Sequence, residues 1–274
     1  MFEQIVNYFS EIPSTHRSAF LVGGLALFWS LESFIPLFRT KYAKWKHAGI
    51  NLFFTFTTVI INLAFAWLIL KTSDWAVSQK FGVLQWIELP LWAFALLGLL
   101  GLDLIGAYFV HWLEHQIKWM WQFHLVHHTD TNVDATTANR HHPGESIFRA
   151  VFTTLGVALF GTPMWLVMLY QSLSVFFSQF NHANICLPEK LDKILSWVIV
   201  SPNMHKIHHH TTRPLTDTNY GNIFAIWDRI FRTYAFEKPA NLKYGLDTHP
   251  EAKENATLKG LLKMPFQPYR PPTL

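Results

Sequence analysis

Residues 111–128 read HWLEHQIKWMWQFHLVHH, and the reading of the whole chain turns on this stretch. It holds His111-x3-His115, then His124-x2-His127-His128, and His205-x2-His208-His209 repeats the second spacing about eighty residues later. On a helix, side chains three and four residues apart share one face, so each cluster can aim two or three imidazoles at one place. Histidine is the usual nitrogen ligand of Zn, Fe, Cu and Ni. Twelve of the fifteen histidines fall between His111 and His210, a concentration that scattered surface residues would not give. Three such clusters, all at the ends of apolar runs, predict a metal site.

Half of the 274 residues are hydrophobic and 16% are aromatic. The apolar residues gather into runs of membrane length, so the chain reads as a multispan membrane protein, either one domain or a membrane domain with a soluble cap. The net charge of +4 is mild and forms no Lys/Arg block, which argues against nucleic acid as a partner. A single cysteine, Cys186, excludes an internal disulfide and any cysteine-based zinc or iron–sulfur site. The first residues lack a basic segment followed by an apolar core, so no cleavable signal peptide is expected.

Residues 19–37 are the first expected span. Glu32 within it either pairs with Arg39 near the interface or serves the site. Arg39, Lys41, Lys44 and Lys46 follow with no acid among them, which puts that loop in the cytoplasm. Residues 50–70 lead outward, 71–89 form a short external loop, and 91–110 return inward after Pro90, delivering His111 and His115 to the cytoplasmic face. Asp103, Ala107, His111 and His115 share one ridge of that helix. Asp103 lies ~12 Å along the axis from His111, at 1.5 Å per residue, and is expected to support a histidine from another helix.

Residues 147–180 are long and apolar but interrupted by Gly161-Thr162-Pro163. One span would leave His182 on the outer face, so a hairpin of two short helices is expected, because the metal site demands it. Residues 187–200 read as an amphipathic interfacial helix with Lys190, Asp192 and Lys193 on its wet side. The expected organisation is N-terminal transmembrane helices over 1–110, a histidine region over 111–235 that includes the membrane hairpin 147–180, and a tail over 236–274. An apolar patch at 258–266 should dock that tail on the lipid surface or the cap. Asn255-Ala256-Thr257 fits a glycosylation acceptor but is expected on the cytoplasmic side.

These pieces resemble the fatty acid hydroxylase/sterol desaturase superfamily of membrane di-iron oxidases. The resemblance runs in order through Glu32-x3-Pro36, Asp103-x4-Tyr108-x2-His111-x3-His115 and Phe123-His124-x2-His127-His128. It continues through Arg140-x-His142-Pro143-x-Glu145, His182-x-Asn184 and Ser201-Pro202-x2-His205-x2-His208-His209. Asp217-x-Asn219-Tyr220-Gly221 and Trp227-Asp228-x2-Phe231-x-Thr233-Tyr234 complete it. Trp112 stands where the family often has Arg, and Arg232 where it often has Gly. His141 and His210 are extra histidines beside motif ones.

The resemblance implies an all-α fold: a multispan membrane helical bundle with a cytoplasmic, histidine-rich helical cap that holds a dinuclear metal site. It implies two iron ions on His111, His115, His124, His127, His128, His182, His205, His208 and His209, with His142 as a tenth ligand, and zinc as a substitute in purified material. The implied activity is hydroxylation or desaturation of a lipid C–H bond with O2 and two electrons, delivered by a separate donor such as cytochrome b5, ferredoxin or a reductase. No catalytic side chain beyond the metal centre is expected. Asp103, Asn184, Asp217 and Asn219 are candidates to accept ring N–H bonds and fix tautomers. Two other classes compete. A zinc-dependent lipid hydrolase would need three protein ligands and one open position, where this chain offers nine or ten imidazoles. A metal transporter or non-catalytic metal-binding protein would hold its ligands near the bilayer midplane rather than at span ends.

Overall fold

The computed structural model describes residues 2–272, and their regular elements are helical apart from isolated bridges. Five long pieces carry the architecture: α2 (Ser14–Phe34), α3 (Lys44–Ser78), α4 (Leu91–Asp103) with its continuation α5 (Val110–Gln116), α7 (Pro143–Phe160) and α8 (Met164–His182). Short helices fill the remainder: α1 (Phe2–Ser10), α6 (Lys118–His128), α9 (Glu189–Leu195), α10 (Pro202–His208), α11 (Ile226–Ile230), α12 (Ala252–Asn255) and α13 (Leu258–Lys263). Helix α3 packs along α7, α2 and α1 pack on α8, and α4 packs on α7 and α8.

Two stretches, Lys44–Gln85 and Leu91–Gln116, are long and apolar enough to cross a membrane. Leu63 and Trp67 of α3 are exposed, as expected of a face with no protein neighbour. At 1.5 Å per residue the 35 residues of α3 reach ~52 Å, beyond the ~30 Å of a hydrocarbon core. The expected loop at 71–89 is therefore helical as far as Ser78. Tertiary contact sustains that extension: Ala76 is buried, and Ser73 Oγ donates to Thr162 O at 2.8 Å.

Helix α7 starts with Pro143 at its first position and ends at Gly161, whose φ of 64° is the left-handed conformation that closes helices. Pro163 then opens α8, so the run 147–180 folds as two helices with the turn at 161–163, and both free ends return to the histidines. Ile117 leaves helical geometry (φ −96°, ψ 112°) and turns α6 back against α5, which stacks residues 111–116 over 124–128.

The C-terminal patch docks on protein. Leu261 and Met264 share a buried cluster with Trp121 and Leu125 of α6 and Phe54 of α3, each such side chain contributing about 1.5–3 kcal/mol over an exposed one. Glu32 does not meet Arg39; it accepts from the backbone N–H groups of Ala135 (2.7 Å) and Asn184 (2.9 Å), with Lys44 at 3.8 Å. Asp192 turns inward and is buried, not on the wet side of α9. Asn255 is buried too, its Nδ2 donating to His249 O at 3.0 Å.

Candidate metal centre

Nine histidines converge as two groups. His111, His115, His124, His128 and His208 form one, and His127, His182, His205 and His209 the other; within each, one nitrogen per ring lies within 4.8 Å of all the rest. Helices α5 and α6 supply four rings of the first group and α10 the fifth. In the second group α6, α8 and α10 each supply one or two, His209 sitting at the end of α10.

Hydrogen bonds at the far side of the rings fix which nitrogen faces inward. A carbonyl can only accept, so Nδ1 of His111 donates to Tyr220 O (2.8 Å), Nδ1 of His182 to Ser178 O (2.7 Å) and Nδ1 of His208 to Thr218 O (2.7 Å). Carboxylates hold two more: His115 Nδ1 lies 3.0 Å from Asp217 Oδ1, and His124 Nδ1 lies 2.7 Å from Glu145 Oε1. Each of these rings therefore turns an Nε2 lone pair inward. His111 and His124 Nε2 stand 3.1 Å apart, as do His127 and His182; His205 and His182 stand 3.0 Å apart. Of these pairs His111 and His124 both have Nδ1 committed, so their facing Nε2 lone pairs repel unless a cation lies between them.

The donor set fits metal ions on two further counts. His208 Nε2 and both nitrogens of His209 are buried without a protein partner, and such groups are rarely left unmet. The nearest nitrogens stand 3.0–3.2 Å apart, within the ~3.0–3.4 Å that separates neighbouring donors around one ion at ~2.1 Å metal–nitrogen bonds.

Burial pushes the pKa of His124, His127, His128, His205, His208 and His209 well below the usual 6.5, and neighbouring imidazoles push it further. The rings are thus neutral near pH 7, the state that ligates. Lys206, fully buried between His205 and His208, donates to Ala183 O and ties α10 to the end of α8; burial holds its pKa down at about 7.

The fatty acid hydroxylase profile matches residues 95–233, half of the chain, and every one of these nine histidines lies inside the match. The chain belongs to the fatty acid hydroxylase family. It is 32% identical over 156 residues to an alkylglycerol monooxygenase of Xenopus tropicalis, covering 55% of this chain and 32% of that protein. It is 27% identical over 146 residues to the ornithine lipid hydroxylase OlsE of Rhizobium tropici, covering 52% and 43%. A putative methylsterol monooxygenase of Dictyostelium discoideum is 26% identical over 216 residues, covering 74% and 76%. The chain thus spans less than half the length of the first two relatives. No solved structure matches it.

Within this family member, the sequence-derived site needs four corrections. His142 joins neither group: it caps α7, its Nδ1 accepting from Gly144 N at 3.1 Å, and its ring packs on Phe123. Asp103 supports no histidine. It accepts from Ile223 N, Phe224 N and Trp227 Nε1 at 3.1–3.2 Å, because the π-helical turn at Leu104–Phe109 adds a residue and rotates Asp103 off the His111 ridge. Asn184 bonds to Phe38, its Oδ1 accepting from the backbone N–H and its Nδ2 donating to the carbonyl. Asn219 braces Met204 and Ala235 from a left-handed φ of 55°. Only Asp217, of the four, meets a ring.

Glu114 and Arg149 also stand at the site, as do Glu145, which the motif contains, and His141, the extra histidine beside His142. Glu145 holds His124 and also accepts from Arg149 Nε at 3.0 Å, while Arg149 Nη2 donates to Glu114 Oε2 at 2.6 Å. Glu114, His124 and Glu145 resemble a third ligand group, but the guanidinium already supplies the cation there. The i, i+4 spacing of Glu145 and Arg149 was the available signal. His141 is the neighbour that turns inward, its ring 4.9 Å from that of His127.

Proposed function

We propose that this chain is a membrane-bound di-iron lipid oxidase that uses O2 and two electrons to hydroxylate or desaturate a C–H bond. One observation carries the reading: nine imidazole nitrogens, most with their tautomer fixed from behind, converge in two sets inside a family whose relatives are named as lipid hydroxylases and monooxygenases. Bound iron would pass electrons to O2 and so supply an oxidant strong enough for an unactivated C–H bond.

The protein's part is to hold and shield. His111, His115, His124, His128 and His208 would hold one ion, and His127, His182, His205 and His209 the other. Asp217, Glu145 and the carbonyls of Tyr220, Thr218 and Ser178 keep five of the rings turned inward. All nine rings are buried, so water is largely excluded. Zinc can replace iron in purified protein, since imidazole sites bind Zn(II) more tightly than Fe(II).

A lipid is the target shared by the alkylglycerol, ornithine-lipid and methylsterol relatives, and that common denominator is what we carry to this chain. Electrons come from a separate donor: cytochrome b5, a ferredoxin or a reductase. We further propose multispan insertion, with α7 and α8 as a membrane hairpin and the metal centre on the cytoplasmic side with Arg39, Lys41, Lys44 and Lys46. Iron-loaded protein supplied with O2, a reductant system and extracted membrane lipid tests the activity by mass spectrometry. Products that gain one oxygen or lose two hydrogens support it; release of a headgroup or ester without redox change supports a hydrolase and overturns it.

A further inference from the structure

Helices α9 and α11 are tied together at their facing ends although thirty residues separate them. Between them Val200 N donates to Ile223 O at 3.0 Å and Ala225 N to Val198 O at 3.2 Å, pairing the segment after α9 with the segment before α11. The outer face of this pair is apolar. Ile194, Trp197, Val198, Ile230 and Phe231 are each 52–67% exposed, and Ile226 extends the same surface. The arrangement is not slack: the Arg229 guanidinium lies between the rings of Trp197 (3.9 Å) and Tyr234 (4.0 Å), and its Nη2 donates to Ser196 O at 2.9 Å. A rigid, contiguous apolar face of this kind marks an interaction surface.

Two features identify what covers it. Phe231 stacks on Tyr108 with ring centroids 5.2 Å apart, and Tyr108 lies within Leu91–Gln116, one of the two stretches able to cross a membrane. Asp103 of the same stretch holds Ile223, Phe224 and Trp227. The face is therefore fastened to a membrane-crossing helix and continues its surface. Its rim is basic on balance: Lys190, Lys193, Arg232 and Lys238 are exposed, against Glu189, which pairs with Lys193 at 2.6 Å, and Glu237, while Asp192 and Asp228 are buried. Arg232 keeps a φ of 60°, a left-handed conformation that favours glycine, so a cation stands there against backbone preference. An apolar face with a basic rim is the pattern of segments that lie in the headgroup zone of an anionic bilayer.

We propose that α9 and α11 form one plate seated in the anionic leaflet of the membrane. Behind it Phe231 packs on Tyr108, Tyr108 faces Tyr220 with rings 6.1 Å apart, and Tyr220 packs on His111, His115 and His208. The plate thus stands three aromatic rings from the first histidine group. Lipid as substrate rests on the proposed function above; lipid contact does not.

The test uses full-length protein in vesicles of phosphatidylcholine and phosphatidylglycerol. Cys186 is replaced by Ser, and a polarity-sensitive fluorophore is attached at Ile194→Cys, Ile230→Cys or, as an aqueous control, Lys253→Cys. Nitroxide lipids should quench the probes at 194 and 230 several-fold more than the probe at 253, with iodide doing the reverse, and the quenching should grow with the share of phosphatidylglycerol. Iodide quenching at 194 and 230 equal to that at 253 overturns the proposal. Shielding from both quenchers, with cross-linking between chains, also overturns it by showing that a second copy covers the face. None of these readouts needs metal or turnover, so the plate and the oxidase reading fail independently.

Discussion

Nε2 of His111 and Nε2 of His124 face each other at 3.1 Å, and both rings have committed their Nδ1 protons elsewhere, to Tyr220 O and Glu145. Two lone pairs in that position have no partner but a cation. In the second group His182 likewise gives its Nδ1 proton to Ser178 O and turns its Nε2 toward that of His127 at 3.1 Å.

Carboxylates behind the rings should matter nearly as much as ligands. Glu145→Gln and Asp217→Asn are each expected to weaken metal affinity or turnover ~10–100-fold. Asp103→Asn, which touches no histidine, should leave metal content unchanged and cost about 1–3 kcal/mol of stability. Metal titrations and thermal melts of the three variants separate the two behaviours.

His142→Ala is expected to keep full metal content and lose only its helix cap, about 0.5–2 kcal/mol. His208→Ala and His127→Ala should each abolish turnover while the protein stays folded. Equal metal loss from the His142 and His208 variants would return His142 to the ligand set.

Acid should release the metal and then unfold the protein. The pKa values of the buried histidines lie below the usual 6.5, so the unfolded chain takes up protons first as pH falls. Their stabilising contribution is complete above about pH 6.5 and declines below it. Metal-free protein should therefore melt at progressively lower temperature from pH 6.5 downward, and a pH-independent melting curve over that range contradicts the assignment.

Topology is testable at the ends of α3. With Cys186 replaced by Ser, Lys41→Cys should be labelled only from the cytoplasmic side and Lys80→Cys only from the opposite one; both positions are exposed. Labelling of both from one side would mean that α3 does not cross.

The metal groups were legible because ligand geometry is local: His111-x3-His115 and the two HxxHH clusters each sit on a single helix, where spacing fixes direction. Asp103 misled because a π-helical turn shifts its register, and periodicity alone does not reveal such a turn. His142 misled for a reason the sequence did hold: the residue before a proline at the start of a helix is the cap, and capping occupies its side chain. Glu145 and Arg149 share an i, i+4 spacing on α7, but Glu114 was hidden because it meets Arg149 and His124 from a different helix, a contact that no spacing encodes. The extent of α3 was missed because polar residues 71–74 read as loop, whereas packing on the 161–163 turn keeps them helical.

The central claim is that two ions lie in two unlike histidine sets. Elemental analysis with Mössbauer spectroscopy of iron-loaded protein tests it most directly. The account predicts two irons per chain in two distinguishable environments, with His128→Ala altering one signal and His209→Ala the other. A single iron per chain accompanied by full turnover would contradict it.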